Sequence, residues 1–159
     1  MDRRSLLAGL TLSVATATAA RAGAPGNVAQ AFAAALSAHD LNEFAALFAD
    51  DYAQHQTSAA VPPPPAGLSA KQATMNYFAA RLAALPDLQV TADPVVLGDS
   101  MVAANFTYTG THKAAYFGVP PSGRRITFNS CDILAVRGGL IVAHWGAADI
   151  AGLLKQLHG

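Results

Sequence analysis

Cysteine is almost missing from this chain: Cys131 is the only one. A lone thiol can close no internal disulfide and can build no four-cysteine zinc site, so stability has to come from packing. Charge of one sign is missing too, because 10 Lys and Arg balance 10 Asp and Glu. With no net field, neither nucleic acid nor an anionic membrane surface is an expected partner. Long hydrophobic runs are absent as well; the stretch from Leu6 to Val14 is about half the roughly 20 residues that a spanning helix needs. The five histidines offer no i, i+4 pair and no His-x-His, so no metal is expected. No internal repeat is visible. What remains is 159 residues, enough for one domain with a real core and too few for two.

The N-terminus reads as an address. Arg3 and Arg4 precede the apolar run, and small residues follow up to Ala20-Arg21-Ala22, the pattern of a signal peptide over residues 1–22 with a linker over 23–26. Arg3-Arg4-Ser5-Leu6-Leu7 looks like a twin-arginine signal, with a Sec signal as the alternative. Either implies export, in a bacterium to the periplasm, and no membrane association once the signal is removed.

In the mature part, residues 27–159, Val28, Phe32 and Leu36 recur at helical spacing over Asn27 to Ala38. Asp40 and Glu43 form a capping-box pattern that starts a second, short helix at Leu41 and carries it to about Phe48. An extended segment, Asp50 to His55, leads into Pro62 to Pro65, expected as a rim or lid. Ser69 and Gln72 make another capping box, and Met75, Phe78, Leu82 and Leu85 stripe a third helix that Pro86 ends. After Asp87 the hydrophobic period falls to two. Strands are expected over Leu88–Leu97, Met101–His112, Arg125–Val136 and Leu140–Trp145, antiparallel because short turns join them. A final helix, capped by Asp149, turns Ile150, Leu153, Leu154 and Leu157 inward. The fold class is therefore α+β, with helices over one face of the sheet.

One residue breaks the strand pattern. Asp132 shares its face with Phe128, Ser130, Leu134 and Val136, and a carboxylate in such dry surroundings is suited to proton transfer. If Arg137-Gly138-Gly139 is a three-residue loop, Asp132 faces His144; with a two-residue Gly-Gly turn it faces Trp145 instead. Cys131 points to the opposite side of the strand and is expected as a buried, inert thiol. Arg124-Arg125 reads as a solvated loop end.

The succession Gly110-Thr111-His112, Gly118-Val119-Pro120-Pro121-Ser122-Gly123-Arg124, Asp132-Ile133 and His144-Trp145-Gly146 resembles the SnoaL-like polyketide cyclase family. His39-Asp40-Leu41 and Phe48-Ala49-Asp50-Asp51-Tyr52 resemble its opening, so the likeness runs from about Val28 to Leu157. Ala143 departs from it, standing where the family usually has an acidic residue. The resemblance implies a nuclear-transport-factor-2-like cone: helices packed into a strongly curved antiparallel sheet, enclosing a cavity, commonly in a homodimer. It implies Asp132 as the general acid/base of a reaction without cofactor, assisted by His112. Candidate ligand contacts are His55, Tyr52, Tyr77, Phe106, Tyr108, Phe128, His144 and Trp145, each of which also has an ordinary packing role. Phe78 is a further candidate for the opening on the helical side. The expected partner is a mostly apolar small molecule, and the expected chemistry is of cyclase, isomerase or hydratase type. The alternative is a non-catalytic module that binds such a molecule or dimerises; a third reading has the domain scavenge an environmental lactone or terpenoid.

Overall fold

The change of hydrophobic period after Asp87 divides the helices from most of the sheet. In a computed structural model, which describes residues 25–56 and 63–159, the order is α1 (Pro25–Ser37), α2 (Leu41–Ala46), β1 (Phe48–Gln54), α3 (Ala70–Ala84), β2 (Gln89–Leu97), β3 (Met101–Thr111), β4 (Arg125–Arg137), β5 (Leu140–Ala148) and α4 (Ile150–His158). The expected signal peptide lies outside the described residues. Helix α1 begins at Pro25, inside the expected linker, at the first-turn position that proline tolerates.

Local chemistry sets the helix starts. Asp40 accepts from the Asn42 and Glu43 amides at 3.0 and 2.9 Å, and Ser69 and Gln72 satisfy each other's backbone in a closed capping box. Helix α2 stops at Ala46, short of the expected Phe48, because Phe48 opens β1. Asp149 caps α4 through the Gly152 amide at 2.8 Å. Leu153 and Leu157 of α4 are fully buried, while Ile150 and Leu154 are half-buried at its edges.

Four strands pair antiparallel as expected, but the sheet is mixed. The segment expected only as extended chain is β1, which lies parallel to β5 in the order β1-β5-β4-β3-β2. Helix α3 and strand β2 separate β1 from the β3–β4–β5 meander in the chain, so no tight turn constrains its direction. Alternation on the two central strands is strict: Val102, Ala104, Phe106, Tyr108, Ile126, Phe128, Ser130, Asp132 and Leu134 all face inward and are buried. The helices pack on that face around Phe32, whose ring lies 4.8 Å from Phe44, 5.5 Å from Phe78 and 4.7 Å from Phe106. Each such ring contributes about 1.5–3 kcal/mol by burial alone.

The other face is open. Ile133 and Trp145 remain 42% and 39% exposed there, and Cys131 is exposed beside them rather than buried as expected. Its odd position in the alternation put it on the outer face, and among the described residues no helix covers Cys131, Ile133 or Trp145 there. Among the described residues no helix is long and apolar enough to cross a membrane.

Candidate active site

Strand β4 delivers Asp132 to the inner face as a residue only 2% exposed. Neither expected register holds. The hairpin closes on a two-residue Gly138-Gly139 turn, with Arg137 opposite Leu140, and then a β-bulge near Val142 shifts the ladder by one residue. Asp132 consequently faces Gly146, Trp145 faces Ile133 on the outer side, and His144 faces Leu134. His144 still meets Asp132, diagonally: Nε2 stands 3.4 Å from Oδ1, too poorly aligned for a hydrogen bond. Ser130, two residues back on the same face, donates its hydroxyl to Asp132 Oδ1 in a short bond.

Behind His144 lies Tyr52 of β1, its Oη 3.4 Å from Nδ1. Burial, with the Asp132 charge adding to it, pushes the Tyr52 hydroxyl well above the ordinary phenol value, so it stays protonated. An ionised Asp132 can only accept. With imidazole neutral, the consistent arrangement has Nε2–H directed at Asp132 and Nδ1 accepting from Tyr52. The His55 amide donates to the His144 carbonyl at 2.8 Å and ties the β5 backbone to the end of β1.

A cavity of about 380 Å³ opens between this face of the sheet and α3. Asp132, Ser130, His144 and Tyr108 form its sheet wall, Tyr77 and Phe78 its helical wall, and Pro63 to Pro65 its rim, the role expected of the proline run. Pro62 lies outside the described residues.

Arg81 of α3 also reaches this cavity, and no expectation covered it. It is 3% exposed. Its Nε donates to Tyr116 Oη at 2.9 Å and its Nη2 to Tyr77 Oη at 2.7 Å. Four rings surround the guanidinium carbon: Tyr108 at 4.5 Å, Phe78 at 4.8 Å, Tyr77 at 4.9 Å and Phe128 at 5.1 Å. Burial opposes its charge, but the tyrosine oxygens turned toward it, Tyr116 first, favour the charged form and raise its pKa, so it remains a cation. Burial likewise raises the Tyr108 and Tyr116 hydroxyls, which stay neutral and do not cancel the arginine. A signal was present in the sequence: Arg81 interrupts the buried Thr74, Phe78, Leu82 face of α3.

The remaining candidates fall elsewhere. His112 is fully buried but does not line the cavity; Nδ1 accepts from the Ser122 amide at 3.2 Å and lies 3.0 Å from its hydroxyl. Its backbone also pairs with Gly123 and Arg124, so the residue holds the Gly118–Gly123 loop rather than assisting Asp132. His55 is exposed and stacks on Trp145 at 4.5 Å, outside the cavity, because both follow the outward phase of their strands. Phe106 is core, and Phe128 lies behind the wall, stacked on Tyr108 at 4.9 Å. Ala143 pairs with Ala135 on the outer phase, so a carboxylate there would point away from Asp132. Among the described residues no three His, Cys, Asp or Glu side chains gather as a metal-ligand set.

The fold recurs in solved structures. IdmH, a candidate polyketide cyclase from Streptomyces antibioticus, is 28% identical over 85% of this chain and 99% of its own, with a TM-score of 0.73. TsrD from Streptomyces laurentii is 25% identical over 83% of this chain and 92% of its own, with a TM-score of 0.71. AclR, a candidate hydroxylase from Streptomyces galilaeus, is 23% identical over 84% of this chain and 95% of its own; its TM-score of 0.71 speaks for the fold alone. No curated protein matches the chain. The profile of SnoaL-like polyketide cyclases matches residues 26–157, which span all nine elements of the cone apart from their outermost residues, and the chain belongs to that family.

Proposed function

We propose that the protein is an acid/base enzyme that works without a cofactor on a mostly apolar small molecule held between α3 and the sheet, in a reaction of cyclase, isomerase or hydratase type. The observation that carries this reading is Asp132 itself: a buried carboxylate on the wall of a cavity large enough for a ligand. Ser130 holds Oδ1, and among the described residues no donor reaches Oδ2. Oδ2 takes a proton from an acidic carbon; in a ring closure the resulting carbanion forms the new C–C bond, and Asp132 returns the proton to the alkoxide. His144 orients the carboxylate, and Tyr52 orients His144. Binding without turnover is the competing reading, favoured by the way Ser130 and His144 already partner Oδ1.

The exposed Ile133 and Trp145 on the outer sheet face support a homodimer formed through that face. The Arg3-Arg4 signal supports export to the periplasm.

Thermal shift against a panel of lipophilic ketones, lactones and esters finds ligands. NMR in D2O then follows exchange of their α-protons. Wild type is expected to exchange them about 100-fold or more faster than Asp132→Asn. Ligands that stabilise both proteins without exchange in either would leave a binding module.

A further inference from the structure

We infer that Arg81 is the oxyanion site of this cavity, so that the ligand presents to it an oxygen that carries negative charge once Asp132 has taken the proton. The ligand that follows is neutral before the proton leaves, and its developing charge comes to rest on an oxygen within reach of the guanidinium. The inference gives the proton-transfer reading its second half, while the anion site itself stands on separate observations.

The first is an uncompensated buried cation. Among the described residues no carboxylate comes within ion-pair distance of Arg81, although it is almost wholly buried. A buried charge without a partner is costly to a fold. Nε and one Nη2 proton are used by Tyr116 and Tyr77. Among the described residues the remaining N–H groups meet no carboxylate and no backbone carbonyl in hydrogen-bond geometry.

The second is rigidity. Two phenol oxygens and four aromatic rings fix the guanidinium plane, so donors stand ready without reorganisation when charge develops.

The third is charge balance. Arg81 and Asp132 line one cavity, cation and carboxylate. Before reaction they balance and a neutral ligand fits between them. When the C–H bond breaks, the proton neutralises Asp132 and the electron pair moves through the enol system onto oxygen. The new anion then faces Arg81 and the cavity stays neutral throughout. A ligand with a permanent carboxylate would leave an excess negative charge beside Asp132.

The probe is 4-nitrophenol, whose ionisation is read from its visible absorbance, with nitrobenzene as the neutral control. Bound to the wild-type protein, 4-nitrophenol is expected to ionise about one pH unit lower than in water, a tenfold preference for the anion. Arg81→Gln should abolish the shift and Arg81→Lys should reduce it, because lysine keeps the charge but not the planar fork. Asp132→Asn should enlarge it by removing a like charge. An unchanged or raised ionisation point in wild type, a shift that persists in Arg81→Gln, or no binding at millimolar probe would overturn the inference. If Arg81→Gln does not fold, the wild-type shift and its reduction in Arg81→Lys decide. If the anion preference stands while Asp132→Asn loses no exchange activity, the oxyanion site survives and the proton-transfer reading fails.

Discussion

Gly146 faces Asp132 across the β4–β5 ladder, and the space left by its missing side chain is where the carboxylate lies. A Cβ at position 146 would overlap Asp132 Oδ1 and stand 3.0 Å from His144 Nε2. The glycine thus lets the carboxylate lean diagonally to histidine. Gly146→Ala should destabilise the fold by about 1–3 kcal/mol, as overpacking does. Exchange by the displaced Asp132 should fall further, roughly 100-fold, since misplacement by an ångström has that effect. Calorimetry and the D2O assay measure the two separately; a folded variant with wild-type exchange would refute the arrangement.

His112 should separate stability from chemistry. Its loss as His112→Ala removes the bonds to Ser122 and should cost about 1–3 kcal/mol in urea unfolding. Cavity affinity and exchange per folded molecule should stay within about twofold, because the imidazole is not on the cavity wall. A stable variant that had lost exchange would return His112 to the catalytic role expected from the family.

The Asp87 carboxylate accepts from the Thr111 hydroxyl at 2.7 Å and the Thr111 amide at 2.6 Å, with Arg125 3.8 Å away. These contacts, the hydroxyl first, hold its pKa below the ordinary 3.8. A depressed folded value means stability present above the unfolded pKa and lost as pH falls through the folded one. The advantage of wild type over Asp87→Asn in urea midpoint should therefore be level above about pH 5 and shrink below about pH 4. A difference that grew on acidification would contradict the assignment.

Dimerisation through the outer sheet face is tested at Ile133, which is 42% exposed there. Ile133→Lys should lower the sedimenting mass from dimer to monomer while leaving the thermal midpoint nearly unchanged at high dilution. Thiol labelling of Cys131, exposed on the same face, should slow as protein concentration rises. Labelling independent of concentration would argue against an interface there.

Much of the fold was legible because its signals are local. The Ser69–Gln72 capping box, the Asp40 and Asp149 caps, the stripe of α3 and the switch to period two depend on neighbours in sequence and form as the pattern requires. Only the Glu43 half of the expected Asp40–Glu43 box is missing, because the Asp40 amide donates to the Ala35 carbonyl instead. The inward phase of Asp132 was legible for the same reason, since alternation along a strand needs no partner. Trp145 was misread because which β5 residues share the Asp132 face depends on the cross-strand register and its bulge, and His55, stacked on Trp145, lies outside the cavity with it.

By itself, then, the amino-acid order determined the elements, their caps and the lone acid among apolar neighbours, all products of interactions spanning a few residues. Tertiary structure alone decided the register, the parallel seat of β1 and the company Asp132 keeps. One bulge changes every pairing beyond it, and a helix can bring an arginine into the cavity opposite a carboxylate 51 positions later (132 less 81). Neither event has a local cause that a single stretch of sequence could carry.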